Sequence, residues 1–357
     1  DYKVTGVQTC ALPISGKKMS EFDVAIVGAT GAVGEVMLEI LEARDFPVRK
    51  LYLLASERSE GKKLQFRGKS VTVQNLETFD FNQVQIGLFS AGGSISAEFA
   101  PKAAAAGCIV IDNTSQFRRD EDIPLVVPEV NPHMITEYGD RRIIANPNCS
   151  TIQMLVALKP IYDAVGISRI NVATYQAVSG SGKRGVEALA TETAKLLNAQ
   201  PIEQDVYPQQ IAFNAIPLIG DIQENGYSME EMKMVWETRK IFEDESIEVN
   251  PTCVRIPVFF GHSEAVHIET KEAISAAQAT ELLASASGVE VIDERSDPDF
   301  PTPVRDAAGT DPVFVGRIRK DISTERGLNL WVVSDNVRKG AALNSIQIAE
   351  VLVKHLQ

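Results

Sequence analysis

The strand-like run FDVAIV passes straight into Gly28-Ala29-Thr30-Gly31-Ala32-Val33-Gly34, and this junction constrains the chain more than any other feature. The apolar periodicity then changes to that of a helix in VGEVMLEILEAR, so the glycines must carry the backbone through a tight strand-to-helix turn. Such a turn lets the backbone and a helix N-terminus approach a pyrophosphate. Gly28, Thr30, Gly31, Ala32 and Val33 are therefore candidate dinucleotide contacts.

The same rhythm continues through KLYLLAS, QIGLFSA, AEFAPKAAAAG and CIVIDNT, and RIIANPN closes the region near residue 147. Alternation of short β-branched runs with helical patterns indicates a parallel sheet with crossover helices. The second strand ends at Leu53-Leu54-Ala55-Ser56, where an NAD site would offer an acidic residue to the ribose. Here Ser56, Arg58 and Ser59 follow, with Glu57 among them; hydroxyls and a guanidinium suit a 2′-phosphate, which favours NADP. Ser90, Gly92 and Gly93 form a second small-residue turn compatible with close approach to the cofactor.

Beyond residue 147 the pattern is mixed: a helix over CSTIQMLVALKPIYDAV, a strand over RINVATYQAVSG, and helices around 184–198 and 228–242. The last helical run, GAALNSIQIAEVLVKHLQ, has an apolar face suited to returning to the first sheet. The expected fold class is α/β, with a Rossmann-type dinucleotide-binding domain over 19–147 plus 338–357 and a second, α+β domain over 148–337.

Composition narrows the function. Lys and Arg number 35 against 48 Asp and Glu, and a net charge of -13 with no basic stripe speaks against a nucleic-acid partner. No stretch reaches the roughly 18 apolar residues of a membrane span, so a soluble protein is expected. The four cysteines (Cys10, Cys108, Cys149 and Cys253) form no CxxC, which argues against zinc or any other metal site and against a disulfide framework, and fits a reducing cytoplasm. Residues 1–18 carry neither a signal peptide nor a periodic element. They read as a non-native or disordered leader before Met19, similar to a translated adapter, and give Cys10 no functional weight.

Asn146-Pro147-Asn148-Cys149 places a cysteine where a strand gives way to a long apolar helix, whose N-terminus favours a thiolate. Cys108 and Cys253 lie inside strand-like runs and read as inert. Of four histidines, His262 is the candidate base, because it follows Gly261 at the end of RIPVFF, where a turn can aim it into a cleft. His267 reads as a strand residue, His133 as a loop residue and His355 as part of a frayed terminus.

GATGAVG, DNTSQFR, NPNCST, ATYQAVSGSG, EEMKM before ETRKI, RIPVFFGHSEAVHIE and WVVSDNVRKGAALNSIQIAE, in this order, resemble aspartate-β-semialdehyde dehydrogenase over essentially all of 22–357. The resemblance implies Cys149 as nucleophile, His262 as general acid/base and Gln176 as the residue orienting the reacting group. It implies Arg255 and Glu230 for the substrate's carboxylate and amino group; Arg118, Lys233 and Asn148 for phosphate; and Asn336 for the cofactor. Glu230 and Lys233 lie three apart on a helix opened by a Ser228/Glu231 capping box, so they share a face.

The activity so implied is NADP-dependent, reversible, phosphorylating oxidation of L-aspartate 4-semialdehyde through a cysteine thioacyl intermediate. The cellular direction would be reductive, feeding synthesis of lysine, threonine and methionine, with 148–337 as catalytic and dimerisation domain of a homodimer or dimer of dimers. A related N-acetyl-γ-glutamyl-phosphate reductase would have no use for the Glu230 carboxylate against a blocked amine. An epimerase-like reading fails because none of the seven tyrosines has Lys four residues on. A non-catalytic NADP-binding sensor would have no reason to combine Cys149, Gln176 and His262.

Overall fold

The computed structural model describes residues 20–294 and 299–357; the leader read at 1–18, with Cys10 and Met19, lies outside the described residues. In chain order the elements are β1 (Phe22–Val27), α1 (Ala32–Ala43), β2 (Val48–Ala55), β3 (Lys63–Phe66), β4 (Lys69–Asn75), β5 (Ile86–Phe89), α2 (Gly93–Ala105), β6 (Ile109–Asp112), β7 (Ile143–Ala145) and α3 (Cys149–Val165). They continue as β8 (Ile167–Gln176), α4 (Gly182–Leu197), α5 (Met229–Phe242), β9 (Glu248–Arg255), β10 (His262–Thr270), α6 (Ala276–Ala284), β11 (Val289–Val291), β12 (Val313–Lys320), β13 (Gly327–Ser334) and α7 (Leu343–His355).

The first sheet runs β3-β4-β2-β1-β5-β6-β7 and is parallel except for the β3–β4 pair. That hairpin is an edge the periodicity reading passed over, since KLQF and KSVTVQN are short, polar on alternate positions and mostly exposed. β1 shows why the parallel part must be covered on both sides. Val24 and Ile26 pack with α1 and α7 in one apolar cluster, whereas Ala25 and Val27 join a second cluster with α2 and α3. α7 thus returns from the end of the chain to lie beside α1 on the first sheet.

The second sheet runs β11-β12-β13-β10-β8-β9, with β8 and β9 parallel and β10 antiparallel to both β8 and β13. α3 is buried along most of its length and packs between the sheets, which explains its nearly unbroken apolar run. This topology gathers the site. β8 ends at Gln176, β9 ends opposite it at Arg255, and antiparallel β10 starts there with His262 facing Ser334 of β13. Four strand ends therefore meet at one edge, against the start of α3. No helix among the described residues is long and apolar enough to cross a membrane, and no cluster of three metal-ligating side chains occurs among them.

Candidate active site

The cofactor turn is built from missing side chains. Gly28 has φ +90°, and a Cβ there would sit 2.6 Å from the Ser90 carbonyl oxygen, so the turns after β1 and β5 touch. A Cβ on Gly34 would sit 2.2 Å from the Gly28 carbonyl oxygen, so only glycine lets α1 start this close to β1. Gly92 has φ +100° and faces open space. The N-caps of α1 and α2 are Gly31 and Gly92, and neither end is closed by a side chain. Two helix starts thus present N–H groups side by side, an arrangement that fits a pyrophosphate.

Past β2, Ser56 and Arg58 are exposed and Ser59 is buried, its hydroxyl accepting from Thr30 Oγ1 and Lys62 Nζ at 3.4 Å each. Arg58 makes no hydrogen bond or ion pair among the described residues, so a guanidinium stands free beside a hydroxyl and a second cation. Lys62 was missed from sequence because a lysine in a polar hairpin reads as solvated. Lys183, also missed, reaches from α4 to the Thr30 carbonyl (3.1 Å) and Glu35 (2.7 Å), tying the second sheet's helix to the turn.

A cavity of about 370 Å³ joins Val33 of this turn to Cys149, Gln176, Arg255, Glu230 and Lys233. Arg118, Asn148 and Asn336 also line it, so the sequence-derived groups for both substrates share one space. Asn148 caps α3: its Oδ1 accepts from Ser150 N and Thr151 N, while its Nδ2 donates to Glu230 Oε1 at 2.8 Å. Gln176 is locked at both ends of its amide, accepting from Thr174 Oγ1 (2.9 Å) and donating to Glu230 Oε1 (3.1 Å). The Ser228/Glu231 capping box forms and sets the register of α5, from which Lys233 Nζ meets Glu230 Oε2 at 3.0 Å. Burial would raise the Glu230 carboxyl, but Lys233 and the Asn148 and Gln176 donors hold it at about 2. It is an anion facing the cavity.

Arg255 Nη1 donates to the Ala177 carbonyl at 2.6 Å, leaving Nε unpartnered. A Cβ on Gly180 would fall 2.9 Å from that Nη1 and 3.5 Å from His262 Nε2, so glycine keeps this corner open. His262 is fully buried, and its Nδ1 accepts the Ala177 N–H at 3.0 Å. The neutral ring therefore carries its proton on Nε2, on the Gly180 side. Burial and then the Arg255 charge push this histidine down to about 3, against Glu230. Asn336 joins Ser179 to the Gly261 N–H, and a Cβ on Gly340 would lie 2.7 Å from Cys149 Cβ. Gly340 was invisible in sequence because its constraint is a contact with a residue 191 positions away.

Cys149 is half-buried at the start of α3, and its thiol feels both burial and the charges around the cavity. Burial pushes it up to about 12, Glu230 adds to the rise, and Arg255, Arg118 and Lys233 pull the other way. Burial thus opposes the thiolate that the helix start favours, and three cations supply a field in its favour. Cys108 and Cys253 are fully buried, and burial pushes the Cys108 thiol up to about 12 and the Cys253 thiol higher still. Arg118 is buried, with Nε on Asn146 O (2.8 Å), Nη2 on Asn113 O (2.9 Å) and Nη1 on Glu237 (3.2 Å).

Comparison with known families gives the class. Residues 23–138 match the semialdehyde dehydrogenase NAD binding domain and residues 158–339 the semialdehyde dehydrogenase dimerisation domain. The protein is an oxidoreductase that uses a nicotinamide dinucleotide. Among curated relatives it is 66% identical over 334 residues to aspartate-semialdehyde dehydrogenase 2 of Vibrio cholerae, covering 94% of this chain and 98% of that protein. It is 52% identical over 339 residues to the aspartate-semialdehyde dehydrogenase of Bacillus subtilis, covering 93% and 97%. The chain belongs to the aspartate-semialdehyde dehydrogenase family. A solved structure of the Vibrio cholerae enzyme II complexed with ASA superposes with a TM-score of 0.92 at 65% identity, covering 94% of this chain and 99% of that one. The Candida albicans enzyme with NADP gives a TM-score of 0.74 at 26% identity, covering 93% and 98%.

Proposed function

We propose that the protein catalyses the reversible, NADP-dependent, phosphorylating oxidation of L-aspartate 4-semialdehyde to L-aspartyl 4-phosphate, acting in cells as a reductase. The observation that carries this reading is one cavity lined by Cys149, the Glu230 carboxylate, the cations Arg118, Lys233 and Arg255, and Val33 of the dinucleotide turn. The Arg255 fork suits the substrate's α-carboxylate and the Glu230 anion its ammonium. The Cys149 thiol loses its proton to solvent and the thiolate adds to the aldehyde carbon, while His262 lends its Nε2 proton to the oxygen that gains charge and recovers it as the carbonyl re-forms, which is its acid/base role. Gln176, fixed by Thr174 and Glu230, orients the reacting carbon. NADP+ bound at the dinucleotide turn would supply the hydride acceptor that oxidises the Cys149 adduct, and Cys149 then carries the acyl group on its sulfur.

Arg118, Lys233 and Asn148 then hold phosphate for attack on the thioacyl carbon, which expels the thiolate. Gly28, Thr30, Gly31, Ala32, Val33, Ser90, Gly92, Gly93 and Asn336 contact the cofactor, and Ser56, Arg58 and Ser59 its 2′-phosphate. The dinucleotide domain comprises 19–147 plus 338–357, and 148–337 carries catalysis and dimer formation. A homodimer or dimer of dimers in the cytoplasm, serving lysine, threonine and methionine synthesis, completes the reading, which the Vibrio cholerae and Candida albicans likenesses support.

The test is a spectrophotometric assay with aspartate semialdehyde, phosphate and NADP+, repeated with NAD+ and with succinate semialdehyde. Removing the amine leaves Glu230 without its partner, so kcat/KM should fall steeply. Equal turnover of succinate semialdehyde would remove the Glu230 assignment and the named substrate together, and a preference for NAD+ would remove NADP.

A further inference from the structure

Glu237 is a buried acid at the start of the Cys149 helix with no role in the proposed reaction. It lies on α5 at i+7 from Glu230 and i+4 from Lys233, so all three share one stripe of the helix. It is 3% exposed. One carboxylate oxygen, Oε2, accepts the Asn148 N–H at 2.6 Å; the other, Oε1, accepts from Arg118 Nη1 at 3.2 Å. Burial raises this carboxyl above its ordinary value while Arg118 and the Asn148 N–H pull it back, and since both neighbours can only donate at these atoms the ionised form satisfies both. The next residue after Asn148 is Cys149, the first residue of α3. Arg118 is otherwise pinned to the carbonyls of Asn146 and Asn113, at the ends of the first sheet.

We propose that Glu237 is a positioning residue for the thiol chemistry: its carboxylate registers the start of the Cys149 helix against the Arg118 guanidinium, so that one group on α5 sets both nucleophile and anion-binding arginine. The inference rests on the reading of Cys149 as nucleophile and Arg118 as phosphate ligand. Glu237 touches neither substrate nor sulfur in this arrangement; it acts through the Asn148 peptide and through Arg118. It also supplies the counter-charge of Arg118. The charged groups acting on the thiol are Glu230 and Lys233 from α5, Arg118 from the loop after β6 and Arg255 from the end of β9. Removing the Glu237 charge leaves Arg118 uncompensated within that set, which favours the thiolate.

Glu237→Gln separates this role from a merely structural one. An amide has one acceptor, so either the Asn148 N–H or the Arg118 N–H must face an NH2 group, and the shared register is lost. Turnover of folded enzyme should fall about tenfold to hundredfold, the loss expected of a misplacement of about 1 Å. Meanwhile the pH profile for alkylation of Cys149 by iodoacetamide should move to lower pH, so the thiol becomes easier to ionise as catalysis becomes slower. Loss of packing alone would lower the melting temperature without shifting that profile. An unchanged kcat, or a fall in kcat with the wild-type alkylation profile, overturns the proposal. If the amide variant does not fold, Glu237→Asp serves: it keeps charge and both acceptors but shortens the reach, so the alkylation profile should stay at the wild-type position while kcat falls. Wild-type kcat in the aspartate variant overturns the proposal. Failure of the underlying reading shows separately, in the wild-type arm alone, as alkylation that inactivates without modifying Cys149.

Discussion

The dinucleotide turn and the thiol cavity touch at Val33, yet they are made in opposite ways. The turn is backbone: its specificity lies in side chains that are absent, and a Cβ at Gly28 or Gly34 would collide with a carbonyl. The cavity is side chain: Glu230, Lys233, Arg255, Gln176 and Asn148 come from four elements and hold one another through hydrogen bonds and charge. A backbone site is written in consecutive residues, whereas a side-chain site exists only once strands distant in sequence have paired. It follows that damage to the turn should remove binding of the cofactor, and damage to the cavity should remove chemistry while binding survives.

The largest effect expected on the cavity side is that of His262→Asn, which should slow the chemical step by about 10²–10⁴ while NADP+ binding and alkylation of Cys149 persist. Single-turnover kinetics with a fluorescence titration of the cofactor checks both. Loss of cofactor affinity in this variant would break the division. On the turn side, Gly34→Ala forces a Cβ to within 2.2 Å of a backbone oxygen that cannot swing away. It should destabilise the protein by about 1–3 kcal/mol and weaken NADP+ binding, read by thermal melting and the same titration. Undiminished binding would show that the turn has slack the structure denies.

The smallest effect sharpens the comparison at the one place where the cofactor site uses a side chain. Arg58 is exposed, so its pairing with a 2′-phosphate is screened and contributes about 1 kcal/mol at most, roughly fivefold. Arg58→Ala should raise the KM for NADP+ by that factor and leave that for NAD+ unchanged. Equal shifts for both dinucleotides would mean that the arginine does not read the 2′-phosphate.

This division also explains what was legible in the chain. Gly28 to Gly34 announce their turn because strand, glycines and helix are contiguous, and the Ser228/Glu231 capping box is local for the same reason. Cys149 at a helix start and His262 at a strand start were legible as positions, but the state of the thiol was not. It depends on how α3 is packed between two sheets and on which charges that packing brings to the sulfur. Glu237, Gly180, Gly340 and Lys62 went unread. The first three are ordinary in their own segments and acquire meaning only from residues distant in the chain, whereas Lys62 meets Ser59 three positions away and reads simply as a solvated lysine. The β3–β4 hairpin was missed for a different reason: an exposed polar edge carries little periodic signal.

The central claim is that Cys149 carries the acyl group in the cavity it shares with the dinucleotide turn. Mass spectrometry of peptides from enzyme incubated with aspartate semialdehyde and NADP+, without phosphate, tests it directly. The account predicts an aspartyl thioester on the Cys149 peptide, formed with stoichiometric NADPH and discharged when phosphate is added. An acyl group on Cys108 or Cys253, or NADPH formed with no acylated cysteine, would contradict it.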